Sequence, residues 1–391
     1  MGSFDNVGVY ERLGVRLSIN AVGTGTIVGG SGPPKIVREK MEEVSQSFVD
    51  MRELLARSGE FVAELMGTEA AFITSGGAAA LALSAAACIA GSDPDKLTQL
   101  PDTTGLKSEI LVQKKHFDSY DRVLASAGAG LIEVGDDSSC TNEQMEKAIC
   151  PNTAAIYYSW PPYGAHPLGM YDWAPPPGDP DLVSLDDARK IGAKHGVPLI
   201  LDGASDVYPL DHFRKVAQAG DLVCFGGKYY GGPNASGFVC GRKDLVEAVS
   251  ASSWIPTTAG LGIGRSMKSD RQQIVALVVG LDDWFTMNHE DRIMEYDRRI
   301  TVIEKAAQGL AGVSSDVYWS GDSFYGSFLT IKIDPGTLGK DARRIKTEMF
   351  EGRPSVMVQA PDPDTLRIFV YTLDEGDDER IAGRLNEVLS S

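Results

Sequence analysis

The sequence lacks the features of a membrane or secreted protein. No apolar run reaches the length of about eighteen residues that a bilayer requires, and residues 1–6 show no charged-then-apolar leader. Cysteine is scarce: the five cysteines are an odd number without a CxxC pair, which favours buried thiols over a disulfide or a metal site. We therefore expect a cytoplasmic protein with no membrane partner and no bound metal.

Basic residues are also in short supply. The chain has 37 Lys and Arg against 54 Asp and Glu, which gives a formal net charge of −17 at pH 7. Such a surface repels a polyanion, so we expect no nucleic-acid partner. Internal repeats are missing as well, and the only compositional bias is a proline-rich turn at residues 174–180. The composition, 43% hydrophobic and 23% charged, is that of a globular protein.

Short apolar runs alternate with helical patterns through the middle of the sequence. This alternation is typical of βαβ units and predicts an α/β fold with a seven-stranded, mostly parallel sheet. The predicted strands cover residues 70–74, 110–113, 130–134, 154–158, 198–201, 222–225 and 237–240, and the helices between them include 77–90, 119–127, 142–148 and 185–195.

A chain of 391 residues is too long for one ordinary core and predicts two domains. Residues 66–265 form the predicted large domain, and residues 1–65 are expected to pack across both domains. Residues 266–391 contain a helix-rich connector and a small C-terminal α+β domain. The connector spans residues 272–311, the strands of the small domain lie within 318–333, 355–358 and 366–371, and its helices lie near 340–350 and 377–389.

Three chemical features follow predicted strands, at the sheet edge where ligands bind in such folds. The apolar run LILDGA ends at Asp202, whose carboxylate either caps a turn or pairs with a protonated pyridine nitrogen. Ala204, two residues on, could pack against the ring. Lys228, between glycine pairs in FGGKYYGGP, is either an ordinary loop lysine or a desolvated, nucleophilic amine.

The third feature is a strand that turns through Ser75, Gly76 and Gly77 into an alanine-rich helix. A helix N-terminus offers backbone N–H groups and a positive dipole end to a phosphate, and Ser75 can add a hydroxyl. Tight packing also selects glycine at such turns. The spacing matches neither a Walker A loop nor a dinucleotide fingerprint, which favours a monophosphate.

Taken together, these segments resemble a known family. SGGAAA, LDGAS and FGGKYYGGP, with the lysine 26 residues after Asp202, followed by GRKDL, resemble the fold-type I enzymes that depend on pyridoxal 5'-phosphate (PLP), which share the aspartate-aminotransferase-like fold. Specifically, they resemble the branch related to bacterial selenocysteine synthase and D-glucosaminate-6-phosphate ammonia-lyase. SINAVGTGTIVGGS and GIGRSMKSDRQQIVAL also resemble that ammonia-lyase branch, so the likeness runs from about Tyr10 to the C-terminus.

The resemblance implies a role for each matching residue. Lys228 would hold PLP as a Schiff base, Asp202 would pair with the pyridine nitrogen, and His116 would lie over the ring and transfer protons, unless it is an ordinary loop histidine. The cofactor phosphate would be held by Ser75, Gly76 and Gly77. Since the fold builds its sites at a dimer interface, the resemblance also implies a homodimer, or a higher homo-oligomer, with shared active sites. Residues Gly232 to Ser236 would reach the phosphate of the neighbouring subunit.

The sequence departs from the family pattern in two places. Gly226 and Gly227 precede the lysine where relatives often carry a serine, and Arg271 and Gln272 stand where the branch tends to carry a lysine and a glutamate. The second departure leaves the substrate open. Candidates for holding a substrate carboxylate are Arg265, Lys268 and Arg367, while Tyr158 and Trp160 either wall the pocket or pack in a proline-rich turn.

The resemblance favours a PLP-dependent lyase acting on a small-molecule amine. Such an enzyme removes a Cα proton, expels a β-substituent and releases ammonia. The same machinery also allows a bond-forming enzyme, a racemase or an aminotransferase. A tRNA-dependent selenium transferase is less favoured, since the chain is acidic and no basic N-terminal module is visible. A PLP-binding regulator would need a DNA-binding domain, and none is visible.

Overall fold

A computed structural model describes residues 8–116, 120–159, 180–255, 262–319 and 326–391, with the side chain of His116 outside the description. The chain divides into two compact units. The larger unit is Gly32–Thr286, and the smaller unit combines Met1–Ser31 with Met287–Ser391. This division differs from the predicted domain boundaries, because residues 32–65 and 266–286 belong to the larger unit.

The smaller unit contains the first elements of the chain. They are helix α1 (Val9–Leu13), strand β1 (Ile19–Asn20) and a 3-10 turn (Thr26–Val28).

The larger unit is built on a seven-stranded sheet in the order β2-β8-β7-β6-β5-β3-β4. β8 runs antiparallel to β2 and β7, and the other neighbours pair in parallel. This confirms the predicted α/β fold with a mostly parallel sheet. The strands are β2 (Ala70–Thr74), β3 (Glu109–Gln113), β4 (Gly130–Val134), β5 (Thr153–Ser159), β6 (Leu199–Ala204), β7 (Leu222–Gly226) and β8 (Gly237–Gly241).

Helices surround this sheet, and one of them is almost entirely buried. That helix is alanine-rich, and its small side chains let it pack closely against the central strands. The helices are α2 (Lys35–Ser45), α3 (Met51–Met66), α4 (Gly77–Ala90, the buried one), α5 (Pro94–Gln99), α6 (Asn142–Ala148), α7 (Leu185–His195), α8 (Leu210–Ala217), α9 (Lys243–Ala251) and α10 (Arg271–Thr286), with 3-10 turns at Lys114–His116, Asp121–Ala127, Gly227–Tyr230 and Ile263–Met267.

The predicted connector is not one continuous element. It consists of α10 and α11 (His289–Ala307), which are separate because the Asn288 side chain accepts hydrogen bonds from Glu290 N and Asp291 N and starts a new helix. α10 packs on α2 and α3, which is why it belongs to the larger unit.

A four-stranded antiparallel sheet with helices forms the rest of the smaller unit, in the order β12-β13-β10-β9. β1 pairs in parallel with a second short strand, β11, so the start of the chain joins this unit. The elements are β9 (Val313–Tyr318), β10 (Phe328–Ile333), α12 (Pro335–Leu338), α13 (Ala342–Glu351), β11 (Val356–Met357), β12 (Gln359–Asp362), β13 (Thr365–Phe369) and α14 (Asp377–Ser390).

Within the described ranges, no helix is long and apolar enough to cross a membrane. Three of the thiols, those of Cys140, Cys224 and Cys240, are buried, whereas Cys88 is partly exposed and Cys150 is exposed.

Candidate active site

Asp202 lies at the carboxyl end of β6, one of the buried central strands. Its side chain is 6% exposed, and Oδ1 accepts a hydrogen bond from the Ala204 N–H at 2.8 Å. Gly203 forms a bulge against β7, where a Cβ would overlap with the Phe225 ring. Burial raises the pKa of Asp202 to about 7, and the charge of Asp121 adds to this, while the Ala204 N–H and Tyr157 act in the opposite direction.

Lys228 follows the next strand of the sheet, β7, and lies in the 3-10 turn Gly227–Tyr230. The side chain is half-buried, with Nζ 5.2 Å from the centre of the Tyr229 ring. Burial lowers the pKa of the Lys228 amine. Because β6 and β7 are parallel neighbours, Asp202 and Lys228 emerge at the same edge of the sheet.

Backbone hydrogen bonds close the loop around Lys228. Gly227 N donates to Ser236 O at 2.8 Å, and Gly232 N donates to Gly227 O at 2.9 Å. Ser236 is buried, and its hydroxyl donates to Pro233 O at 2.7 Å, within the same loop. Gly232 and Ser236 thus hold the Lys228 loop together in their own subunit, and their reach to a neighbouring phosphate stays a prediction.

The turn after β2 lies against the end of β7. A Cβ at Gly77 would lie 3.6 Å from Gly226 N, and a Cβ at Gly237 would lie 2.6 Å from the carbonyl carbon of Gly76. Gly76 has a φ of +143°, which favours glycine, and it offers no side chain to cap α4. The N-terminus of α4, with the half-buried Ser75 beside it, therefore lies next to the strand that leads to Lys228.

Backbone strain also occurs at this edge. Ala204 has a φ of +31°, and among the described residues it is the non-glycine residue with a positive φ. Such a conformation costs on the order of 1 kcal/mol or more and is common at functional sites. Ala204 comes directly after the Gly203 bulge and two residues after Asp202. The strain therefore lies at the position predicted to pack against the ring.

The other predicted site residues are placed as follows. The backbone of His116 ends the 3-10 turn after β3, Trp160 lies outside the described residues, and Tyr158 is buried on β5. Arg265 and Lys268 are exposed in the segment that precedes α10.

Arg367 lies in the smaller unit, on β13. It is buried, and its guanidinium carbon lies 5.2 Å from the centre of the Phe328 ring. Its proposed contact with a substrate carboxylate stays a prediction, like those of Arg265 and Lys268.

Two of the residues that depart from the family pattern, Gly227 and Arg271, make specific local contacts. A Cβ at Gly227 would overlap with the buried Ser236 hydroxyl, so a serine at position 227 would require that hydroxyl to move. Arg271 anchors α2: its Nε donates to Val44 O and its Nη2 to Ser45 O, both at 2.8 Å. In this chain Arg271 therefore satisfies the carbonyls at a helix C-terminus.

Two polar pairs, the first buried and the second partly buried, were not anticipated from the sequence. The Tyr157 hydroxyl donates to Asp121 Oδ1 at 2.7 Å, and His212 Nε2 lies 2.9 Å from Oδ2 of the buried Asp206. The sequence presented Asp206 only as part of LDGASD, four residues after Asp202, and Asp121 only as a residue of the predicted helix 119–127.

Similarity to known proteins extends over almost the whole chain. A 5'-C-glycyluridine monooxygenase-decarboxylase from Streptomyces sp. is 30% identical over 390 residues, which cover 97% of this chain and 92% of that protein. This chain belongs to the fold-type I PLP-dependent enzymes. Another member of the family, the D-glucosaminate-6-phosphate ammonia lyase of Salmonella typhimurium, is 26% identical, with 97% of each chain covered.

The predicted branch of this PLP-dependent family is confirmed. An L-seryl-tRNA(Sec) selenium transferase from Aquifex aeolicus is 26% identical over 264 residues, or 64% of this chain and 51% of that protein. A solved structure of D-glucosaminate-6-phosphate ammonia-lyase superposes with a TM-score of 0.81 at 24% identity, covering 98% of this chain and 99% of the other, and so shares the fold. No family model matches the chain.

Proposed function

We propose that this enzyme is a lyase that holds PLP on Lys228, acts on a small amino acid or amino-sugar acid, and releases ammonia. The observation that carries the proposal is the placement of Asp202 and Lys228. A buried carboxylate and a half-buried amine of lowered pKa end neighbouring parallel strands, at the edge where this fold class binds ligands.

The residues at this edge fit the cofactor. A carboxylate stabilises the protonated form of a pyridine nitrogen, and Asp202 could supply that carboxylate. A phosphate requires backbone N–H groups, and the N-terminus of the 14-residue helix α4 begins at Gly76 and Gly77, where no side chain competes for them. Ser205, next to the strained Ala204, has a fully buried hydroxyl without a hydrogen-bond partner among the described residues, which marks this edge as built for a polar ligand.

When bound, PLP would supply an electron sink for negative charge that develops at the substrate Cα. The chain's own residues would supply the rest. Lys228 Nζ, whose pKa burial lowers, is suited to hold the cofactor and to accept the Cα proton. Asp202 would keep the ring nitrogen protonated, and the Ala204 N–H on Oδ1 fixes the orientation of its carboxyl group. A proton for the leaving group would come from His116.

The proposed substrate is a free small molecule rather than an aminoacylated tRNA. The net charge of −17 opposes binding of a polyanion, and the likeness to the selenium transferase covers 51% of that protein.

We also propose a cytoplasmic homodimer with shared sites. Exposed apolar side chains support assembly, above all Phe48, which is 92% exposed in the loop between α2 and α3.

The likeness to the monooxygenase-decarboxylase favours a second reaction. With 30% identity over nearly the full length of both chains, oxidative decarboxylation of an amino acid is the alternative to elimination. The same Asp202 and Lys228 arrangement would serve both reactions, since each builds negative charge at Cα. Bond formation, racemisation and transamination use that charge as well.

One experiment tests the cofactor and the reaction together. The purified chain is loaded with PLP, reduced with borohydride and mapped by mass spectrometry, and the unreduced enzyme is incubated with a panel of amino acids and amino-sugar acids. We expect the label on Lys228, its loss in Lys228→Ala, and release of ammonia with a 2-oxo acid. A label on another lysine would refute the site. Release of CO2 with uptake of O2, in place of elimination, would show that the enzyme is an oxidative decarboxylase rather than an ammonia-releasing lyase.

A further inference from the structure

A cavity lies at the edge of the large sheet opposite Asp202 and Lys228. It is lined by the loop before β3, the start of β5, Pro198 ahead of β6 and the C-terminal end of α4. β3, β5 and β6 run parallel, so their amino ends share the edge that faces away from the proposed cofactor site. The cavity volume is about 490 Å³. This volume lies within the range of roughly 300–1,000 Å³ that is typical of small-molecule sites.

The helix α4 separates this cavity from the proposed active site. Its N-terminus lies beside the strand that leads to Lys228, and its last residues line the cavity. A helix of 14 residues is about 21 Å long. All residues that line the cavity belong to the larger unit, so the cavity is formed within one compact part of the chain.

One cation in the cavity wall is available to a ligand. Three basic residues line the cavity, and two of them have acidic neighbours. Arg242 is balanced by two carboxylates, at 2.7 Å and 3.3 Å, and Lys96 Nζ lies 3.9 Å from Oδ2 of Asp93. Lys107 is exposed and makes neither an ion pair nor a side-chain hydrogen bond with any described residue. Its ammonium group can therefore bind a carboxylate.

The C-terminal end of α4 supplies hydrogen-bond acceptors. The last carbonyls of a helix lack an intrahelical donor and form the negative end of its dipole. The carbonyls of Ala87 and Ala90 accept backbone hydrogen bonds from residues that follow the helix. Those of Cys88 and Ile89 accept none from the part of the chain that the structure describes. They favour a ligand that carries an ammonium group.

The remaining wall of the cavity is mainly apolar. Leu106, Ala154, Pro198 and Leu245 contribute aliphatic surface from four different segments. An apolar group of a ligand that displaces water from this surface gains free energy in proportion to the area it covers. The cavity thus combines a cation, free carbonyl groups and an apolar wall.

We propose that this cavity is a second ligand site, which binds a small α-amino acid with an apolar side chain. The ligand carboxylate pairs with Lys107, and its ammonium group lies at the carbonyls of Cys88 and Ile89. Its side chain packs against Leu106 and Leu245. Since the site lies at the far end of α4 from the proposed active site, binding there does not require PLP.

Three probes test the two charged contacts on the full chain. They are L-phenylalanine, hydrocinnamate, which lacks the ammonium group, and phenethylamine, which lacks the carboxylate. Binding is measured by isothermal titration calorimetry, with cofactor-free protein and with holoenzyme reduced by borohydride. We expect phenylalanine to bind both forms, and each of the other probes to bind about tenfold more weakly. Equal affinity for all three probes, or no binding of phenylalanine, would overturn the proposal.

Two substitutions locate the bound phenylalanine. Lys107→Ala should weaken its binding about tenfold, because it removes the partner of the carboxylate. Leu106→Trp should abolish binding, because the indole fills the cavity. Lys215→Ala is the matched control, since Lys215 is also exposed and has no ion pair among the described residues. It should bind phenylalanine like the wild type.

Wild-type affinity in both Lys107→Ala and Leu106→Trp would place the ligand elsewhere and overturn the proposal. If Leu106→Trp does not fold, Lys107→Ala decides alone, because it changes an exposed side chain. Failure of the wild type to bind PLP would refute the proposed function, while the titrations of the cofactor-free protein would still test this cavity.

Discussion

Gly280 of α10 packs against the peptide bond that joins Gly231 to Gly232, in the loop that follows Lys228. A Cβ at Gly280 would lie 3.1 Å from both the Gly231 carbonyl carbon and Gly232 N. The same helix is fixed to the segment that follows β6, because Trp284 Nε1 donates to Val207 O at 2.8 Å. α10 therefore supports the Lys228 loop from outside the sheet.

A larger residue at position 280 should displace that loop. We expect Gly280→Val to bind PLP about tenfold more weakly, because overpacking of this size costs on the order of 1–3 kcal/mol. The dissociation constant can be measured by fluorescence titration. Gly383→Val on α14 is the control, since a Cβ there has open space. Equal affinity in the two variants would show that the loop tolerates the displacement.

The lowered pKa of Lys228 predicts that its amine reacts with acylating reagents at lower pH than an ordinary lysine. A lysine whose pKa falls on burial holds more neutral amine at a given pH, so Lys228 in the cofactor-free chain should be acylated at lower pH than the exposed lysines. Competitive labelling with a limiting acylating reagent, read by mass spectrometry, gives the pH profile of each lysine in one sample. A midpoint for Lys228 at or above that of the exposed lysines would contradict the assignment.

Asp202 should make the stability of the cofactor-free protein depend on pH. Its pKa is about 7 in the fold and lower when unfolded, so the folded state retains a proton that the unfolded chain loses between about pH 4 and 7. Stability should fall as pH rises through this window, by a few kcal/mol at most, since one pKa unit corresponds to about 1.4 kcal/mol. Asp202→Asn should remove this dependence in urea denaturation. Parallel curves for wild type and variant would mean that Asp202 titrates normally.

Assembly is tested by light scattering at dilutions at which turnover is also measured. We expect the mass of at least a dimer. Phe48→Glu should lower both the mass and the turnover, because it replaces an exposed apolar side chain of the proposed subunit interface with a charged one. Met294→Glu, a substitution at another exposed apolar position, serves as the control. A monomer of wild-type activity would refute shared active sites.

The sequence predicted the sheet well because its strands, apart from the edge strand β4, are buried on both faces and appear as short apolar runs between turn signals. Two of the seven observed strands, β2 and β4, have the predicted bounds, and the other five differ from the prediction by one to three residues at one or both ends. Lys228 and Asp202 could be predicted because a charged residue at the end of a short apolar run is unusual and stands out in the sequence. The separate start of α11 was also signalled, by Asn288 ahead of Glu290, but the surrounding helical pattern obscured it.

What could not be predicted depends on strand order. The contact of Tyr157 with Asp121 joins residues 36 positions apart, and it exists because β3 and β5 are neighbours in the sheet. The packing of α10 on α2 likewise arises only in the folded chain, through Arg271 and the carbonyls of Val44 and Ser45. Short-range patterns carry no information on such pairs.

A side chain at position 227 would overlap with the Ser236 hydroxyl. Substitutions at these two positions should therefore depend on each other in evolution. A relative with a serine at 227 must move or lose the hydroxyl at 236. The two sites should therefore covary among homologues, with serine at one or the other. Gly227→Ser alone should be poorly tolerated, and Ser236→Gly should rescue it, because the second substitution removes the hydroxyl with which the first would overlap.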